Sequence, residues 1–227
     1  IKNYLIDNYN FEIRKYENIK YKPFPVPRLE LKNVHINLKK SDTNLDVNKF
    51  KIYPNILSIY NFNDFKVSKI ILNENTANLE ISKSSDFIKQ LLNQTKKLSI
   101  NDLEIKIINN KKILLRLENI HFANFGYKKN YIKGKVFGKK FKAELGKNYK
   151  SINFSILNSG ITTDLELNEN QNKGRKTGIF KSKILNTNFK FNFEYKNDKL
   201  KIFNSYFRSK NLSFDNESLI TFQPFLE

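Results

Sequence analysis

The chain has no cysteine, no methionine and no tryptophan among its 227 residues. Without cysteine there is no disulfide framework, no thiolate nucleophile and no zinc–thiolate site, and that absence suits any compartment. Without methionine, Ile1 is not a translational start. The expectation is therefore that an N-terminal piece precedes it, with room for a signal or an anchor. No run approaches the roughly 18 apolar residues that a bilayer-spanning helix needs. Glycine (7) and proline (5) are scarce, and acidic residues (22) are far outnumbered by basic ones (41), for a net charge of +19. Only Arg14, Arg28, Arg116, Arg175 and Arg208 are arginine; the rest of the positive charge is lysine. Lysine rises together with asparagine, isoleucine, phenylalanine and tyrosine along the whole chain, which reads as the coding bias of an A/T-rich genome rather than as a built patch. Attraction to phosphate, on nucleic acid or anionic lipid, is the functional alternative. Scarce arginine weighs against sequence-specific reading of nucleic acid, because bidentate contacts to guanine depend on it.

What the chain does have is one element used repeatedly. Apolar residues stand at relative positions 0, 2, 5 and 7 in Leu29, Leu31, Val34, Ile36; in Leu45, Val47, Phe50, Ile52; in Phe65, Val67, Ile70, Leu72; in Leu98, Ile100, Leu103, Ile105; and in Leu115, Leu117, Ile120, Phe122. A spacing of two is the period of a strand. A spacing of three is one residue too many, so each unit reads as a strand with a bulge that keeps its apolar residues on one side. The bulges are expected at Lys32-Asn33, Asn48-Lys49, Ser68-Lys69, Asn101-Asp102 and Glu118-Asn119.

Around these units the pattern predicts one or two helical turns over residues 1–9, a proline series (Pro23, Pro25, Pro27) that marks an edge or crossover, and strands over 28–38, 45–53 and 65–72. Residues 56–60 are an apolar lead into Asn61-Phe62-Asn63-Asp64, and Asn73-Glu74-Asn75-Thr76 reads as a turn before a short alternation at Ala77, Leu79 and Ile81. Phe87, Ile88, Leu91 and Leu92 recur at helical spacing behind Ser84 and Ser85, which predicts a helix over 84–95. Strands resume from Leu98 to the turn at Asn109-Asn110-Lys111 and from Ile113 to Phe122. Simpler antiparallel strands follow over 131–137, 140–146, 150–157, 161–167, 176–184, 187–195 and 199–207, with 168–175 as a loop. Phe189, Phe191, Phe193 and Tyr195 form an aromatic stripe, which in a sheet is ordinarily core unless nothing packs on it. The predicted fold is mainly β: a long twisted antiparallel sheet bent into an apolar groove, with one or two short helices, in a single domain over 1–227.

Catalytic chemistry finds little footing. His35 and His121 sit in matching contexts, but no third histidine or cysteine completes a zinc set, and in a strand both point away from the apolar face. Asp102 with Glu104 and Asp164 with Glu166 read as solvated faces rather than an acid pair in a cleft. No serine sits in a nucleophile elbow. Gly134 to Lys140 is one residue short of a phosphate loop and ends in Lys where Ser or Thr is needed, so a hairpin fits better; Gly174 to Gly178 reads as a basic turn. No enzyme, metal or cofactor is expected.

The run from Phe24 through Pro25-Val26-Pro27-Arg28-Leu29-Glu30-Leu31-Lys32-Asn33-Val34-His35 to Ile36 resembles the P-x-L-x-L-x-N-V-x-I opening of AsmA-family proteins. It is followed, as in that family, by an Ile/Leu-rich segment (52–60) and a K-V-S-K-I-I-L element (66–72). Leu98 to Ile105 is similar to the family's second opening, with Leu115 to Phe122 as its echo. The C-terminal part, with Phe207-Arg208-Ser209, Leu212-Ser213 and residues 220–225, is similar to a strand-rich segment ending in P-F. The chain departs from the family by lacking the N-terminal membrane helix, of which residues 1–9 would be the tail. The resemblance implies a non-enzymatic protein of a Gram-negative bacterium, anchored to the inner membrane with its body in the periplasm. It would be related to bridge-like lipid-transfer proteins and serve phospholipid movement and outer-membrane biogenesis, with other envelope proteins as further partners.

An open sheet with one apolar face must cover it with protein or with acyl chains, and each buried methylene is worth about 0.8 kcal/mol. The candidate lining residues are Leu29, Leu31, Val34, Ile36, Phe65, Val67, Ile70, Leu72, Leu98, Ile100, Leu103, Ile105, Leu115, Leu117, Ile120 and Phe122, with Phe189, Phe191 and Phe193; helix 84–95 would close one end of the groove or pack in the core. The alternatives are a basic sheet-based binder of nucleic acid or anionic surfaces, and a structural scaffold that docks partners through a sheet edge.

Overall fold

A computed structural model describes residues 1–55, 65–110, 112–127, 129–146, 150–168, 174–197 and 199–221. The apolar lead at 56–60 with the turn at 61–64, and most of the loop at 168–175, fall outside the described residues. The chain is mainly β, one long, mostly antiparallel sheet that is not closed, with two short helices. It divides into two units, Ile1–Gly138 and Lys139–Glu227.

Unit 1 holds α1 (Lys2–Tyr9), β1 (Phe11–Lys15), β2 (Asn18–Lys22), β3 (Arg28–Leu38), β4 (Thr43–Pro54), β5 (Val67–Glu80), α2 (Ile81–Leu92), β6 (Leu98–Asn109), β7 (Lys112–Ala123) and β8 (Tyr131–Val136). Its strands run β1-β3-β4-β5-β6-β7-β8, with β2 on the other half of the β3 edge. The proline segment is thus the link between an edge strand and β3, as its missing N–H donors require. Arg28 clamps it by donating to the carbonyls of Phe24 and Val26.

Three expectations are corrected. The antiparallel meander is interrupted, since β5 and β6 run parallel with α2 as the crossover that a parallel pair needs. That helix spans Ile81–Leu92 rather than 84–95, because β5 runs straight into it: Glu80 occupies the N-cap with extended backbone, and Ser84 donates to the Glu80 carbonyl instead of capping. Finally, Asn73-Glu74-Asn75-Thr76 is no turn but the middle of a 14-residue strand.

The reason is the device behind the 0, 2, 5, 7 spacing. Asn33, Glu74, Asp102 and Asn119 each take a positive φ, of 48°, 56°, 55° and 50°, at position 4 of their units. A single left-handed residue turns the chain so that the next apolar side chain returns to the same face. Asparagine and aspartate tolerate that conformation better than other non-glycine residues. In β5 the unit that carries it is Ile70, Leu72, Asn75, Ala77, hidden in the sequence because its third member is polar. The neighbouring pairs Lys32 with Lys49, Lys49 with Asn73 and Asn73 with Asn101 put Asn33, Asn48, Glu74 and Asp102 on one line across four strands. Asn48 has no positive φ, and at Ser68 the ladder skips a residue, pairing Tyr53 with Lys69 and Pro54 with Val67. All five strands run unbroken through the expected pairs.

Unit 2 is β9 (Lys139–Leu145), β10 (Ser151–Ile156), β11 (Ile161–Leu167), β12 (Arg175–Ile184), β13 (Thr187–Lys196), β14 (Lys199–Arg208) and β15 (Ser213–Thr221), each antiparallel to the next. Gly174 to Gly178 is corrected from a turn: only Gly174, at φ 84°, precedes β12, and Arg175 to Gly178 lie within it. β15 was not delimited by its sequence, which has no alternating apolar run. β14 repeats the unit-1 device, with Leu200, Ile202, Asn204 at φ 48°, then Ser205 and Phe207.

Candidate functional site

In unit 1 the repeated apolar residues share one face and are packed. Val34, Ile36, Ile70, Leu72, Leu98, Ile100 and Leu103 are essentially inaccessible; Leu31, Val67, Ile105, Ile120 and Phe122 are buried; Leu29, Phe65, Leu115 and Leu117 are half-buried. Leu45, Val47, Phe50 and Ile52 of β4 complete the layer and are also buried. The opposite face carries exposed His35, Asp46, Lys49 and Thr76, and the two helices contribute further buried side chains to the unit.

Helix α1 inserts Leu5 and Tyr9, both fully buried. Tyr4 meets Phe65 edge-on at 5.9 Å between ring centroids, Tyr9 meets Phe11 at 5.7 Å, and the Tyr9 hydroxyl donates to the Lys97 carbonyl at 3.4 Å. Burial, with Tyr4 beside it, pushes the Tyr9 phenol up from its ordinary pKa. Helix α2 buries Phe87 and Gln90, and the Gln90 carbonyl oxygen accepts from the backbone N–H and hydroxyl of Ser41. The Asn75 amide, in the midst of this layer, donates to the Asn101 carbonyl at 2.8 Å while its own oxygen has no protein partner. These contacts add side chains of both helices to the buried interior of unit 1.

Among its described residues, unit 2 has no helix. Register places Phe141, Ala143 and Leu145; Ile152, Phe154 and Ile156; Leu165; Phe180; Phe189, Phe191 and Phe193; Ile202 and Phe207; and Phe214 on one face. On the other stand Lys142, Asp164, Glu166, Lys181, Lys190, Glu194 and Lys201. Phe180 stacks on Phe191 at 4.7 Å, Phe189 meets Phe207 edge-on at 4.8 Å, and Phe207 stacks on Phe214 at 4.8 Å. Each ring is offset or tilted as its quadrupole prefers. Phe141, Ala143 and Leu145 of β9 are buried. Of the rings on β12 to β15, Phe193 is the buried one: its ring lies over Gly178, where a Cβ would stand 2.8 Å from it. Phe154, Phe180, Phe189, Phe191 and Phe207 are half-buried, and Phe214 is 47% exposed. Among the described residues of this unit, no element packs on the face.

Of the aromatic stripe, then, the structure brings Phe189, Phe191 and Phe193 together with Phe180, Phe207 and Phe214, which single-strand reading did not join. Their signal was available only across strands, because β12 alternates Gly178, Phe180, Ser182 and shows one aromatic where β13 shows a row.

The polar groups are arranged for solvent. His35 shares a hydrogen bond of 2.5 Å with Asp46, and His121 lies 3.4 Å from Asp102; each of these side chains is about half exposed. Lys49 beside Glu74, and Arg116 beside Glu104, hold those carboxylates below their ordinary range. Glu30 lies between Lys22 and Arg28, 2.7 Å from each, and their hydrogen bonds, Lys22 foremost, pull its pKa down to about 2. Asp164 takes a hydrogen bond from Asn153, and Glu166 lies 3.8 Å from Lys181. Among the described residues no three His, Asp or Glu side chains cluster as metal ligands, and no helix is long and apolar enough to cross a membrane. Phe137 and Gly138, at φ 50° and 73°, make the short turn after β8 where a phosphate loop had been considered. Comparison with models of known families, with characterised proteins and with solved structures finds no match to this chain.

Proposed function

We propose that this protein is a non-enzymatic lipid-handling protein that holds or moves phospholipid acyl chains along the apolar face of unit 2. The observation that carries the reading is the phenylalanine-rich face of β12 to β15, whose rings apart from Phe193 are half-buried or exposed and on which no helix packs among the described residues. Apolar surface of that extent in water is unfavourable, at about 25 cal/mol per Å², and contiguous patches of it mark binding surfaces. Acyl chains suit it: they are apolar along their length, need no hydrogen-bond partner, and slide without fixed registration. Head groups stay in water at the margin, where the strands turn and polar residues resume.

The resemblance to the AsmA family supports the same reading and extends it to a place of work. The protein would act in the periplasm of a Gram-negative bacterium, tethered to the inner membrane by a segment outside this chain, with phospholipid as its partner in outer-membrane biogenesis.

Organic extraction of the purified protein followed by lipid mass spectrometry tests the ligand. Phospholipid is expected to co-extract with the wild type and to fall at least about tenfold in Phe191→Asp, whose side chain places a charge on the face. Protein that carries no phospholipid, or a variant that carries as much as the wild type with its fold intact, contradicts the proposal.

A further inference from the structure

The tip of the β6–β7 hairpin departs from the one-sided rule kept elsewhere in unit 1. Ile107 faces Leu115 and Ile108 faces Ile113, and the register shift between those pairs leaves Leu114 as the extra residue. Apolar side chains therefore stand on both faces of the ladder, where a water-exposed hairpin would alternate. Ile113 is 58% and Leu114 53% exposed. Glu80 pairs with Ile108, so Ile81, the first residue of α2 and 53% exposed, leaves the sheet at the same end; Ile88, two turns along the helix, is 52% exposed.

Along the hairpin itself the charge has one sign, and the exposed Glu80 across the ladder from Ile108 is the nearby carboxylate of β5. From Lys106 to Arg116 the chain reads Lys-Ile-Ile-Asn-Asn-Lys-Lys-Ile-Leu-Leu-Arg, with four cations and no carboxylate. Lys106 and Arg116 are engaged by Glu104, which holds the base of the hairpin. Lys112, exposed and paired with Asn109 at the end of the ladder, precedes the exposed Ile113 and Leu114. Branched aliphatic side chains projecting from a lysine-bearing turn match the interfacial layer of a bilayer, where the methyl groups enter the acyl boundary and the ammonium groups meet phosphates.

We propose that the β6–β7 tip, together with the start of α2, docks unit 1 on an anionic phospholipid bilayer, seating Ile113 and Leu114 in the interface. This docking involves other residues and another unit than the acyl-chain track, and it stands or falls separately. It would bring a lipid carrier to its source or target.

Vesicle flotation with the purified chain is the test, using phosphatidylcholine alone and phosphatidylcholine mixed with phosphatidylglycerol. The wild type floats with the anionic vesicles. The double variant Ile113→Ser/Leu114→Ser partitions at least about tenfold less, the expected scale for removing two inserted aliphatic side chains. Its melting temperature and co-extracted phospholipid stay those of the wild type. Lys112→Glu weakens flotation about fivefold or more, as does raised salt, while Phe191→Asp floats as the wild type does. A wild type that stays unbound, a double variant that floats equally well, or equal binding to phosphatidylcholine alone overturns the proposal.

Discussion

The two units use the same one-sided strands and finish them differently. In unit 1 the central residues of the apolar face from β3 to β6 are inaccessible, and α1 and α2 contribute further buried side chains. In unit 2 the same kind of face, richer in phenylalanine, is buried along β9 and at Phe193 but only half-buried at Phe180, Phe189, Phe191 and Phe207, with no helix on it among the described residues. A sheet becomes a core only when a second layer arrives. One layer of stacked rings recovers part of that burial, at about 0.5–1.5 kcal/mol for each aromatic pair, and leaves the rest available to a ligand.

The largest expected effect breaks this contrast at single positions. Phe50→Ala, in the packed face of unit 1, should cost about 3–5 kcal/mol in urea unfolding, whereas Phe191→Ala in unit 2 should cost no more than about 1–2 kcal/mol. Equal losses would mean that the unit-2 face is as fully packed as the other. Removing part of the cover comes next: Leu5→Ala should destabilise unit 1 by about 2–3 kcal/mol while leaving hydrogen exchange in β12 to β14 unchanged.

The left-handed line across unit 1 offers a sharper probe of strand geometry. Asn119→Val, which puts a β-branched side chain at positive φ, should cost about 1–3 kcal/mol, and Asn119→Gly should be nearly neutral; thermal melts of the two variants distinguish them. A valine variant as stable as the wild type would remove the kink from the explanation of the spacing.

The smallest effect concerns pH. Because Glu30 has its pKa lowered to about 2 by Lys22 and Arg28, its contribution is fully present above the ordinary carboxylate range near 4.5 and is lost as pH falls toward 2. Glu30→Gln should lower stability by about 1 kcal/mol at neutral pH. The difference from wild type should shrink through that acid window in denaturant melts, as protonation removes the wild-type advantage.

Much of the fold was legible because hydrophobic period is a local signal. β3 was delimited to the residue, most other strands to within one or two, and the spacing pointed to bulges or kinks at Lys32-Asn33, Asn101-Asp102 and Glu118-Asn119, the pairs in which Asn33, Asp102 and Asn119 take a positive φ. Where a polar residue occupies an apolar position the signal failed: Asn75 hid the second unit of β5 and made its middle read as a turn. Parallel pairing of β5 with β6 was also invisible, since it depends on where α2 returns the chain and not on either strand's pattern. For the candidate site, the stripe at Phe189, Phe191 and Phe193 could be read from β13 alone. Its continuation through Phe180, Phe207 and Phe214 depends on cross-strand register, and how far a face is buried depends on elements that only folding brings against it.

Photo-crosslinking tests the central claim most directly. A phospholipid with a photoreactive group in its acyl chain is bound to the protein, irradiated, and its adducts are mapped by mass spectrometry. The account predicts adducts on the apolar face of β12 to β14, at peptides containing Phe180, Phe191 and Phe207, competed by unlabelled phospholipid. Adducts confined to the charged face, or none above those on a protein unfolded in urea, would contradict it.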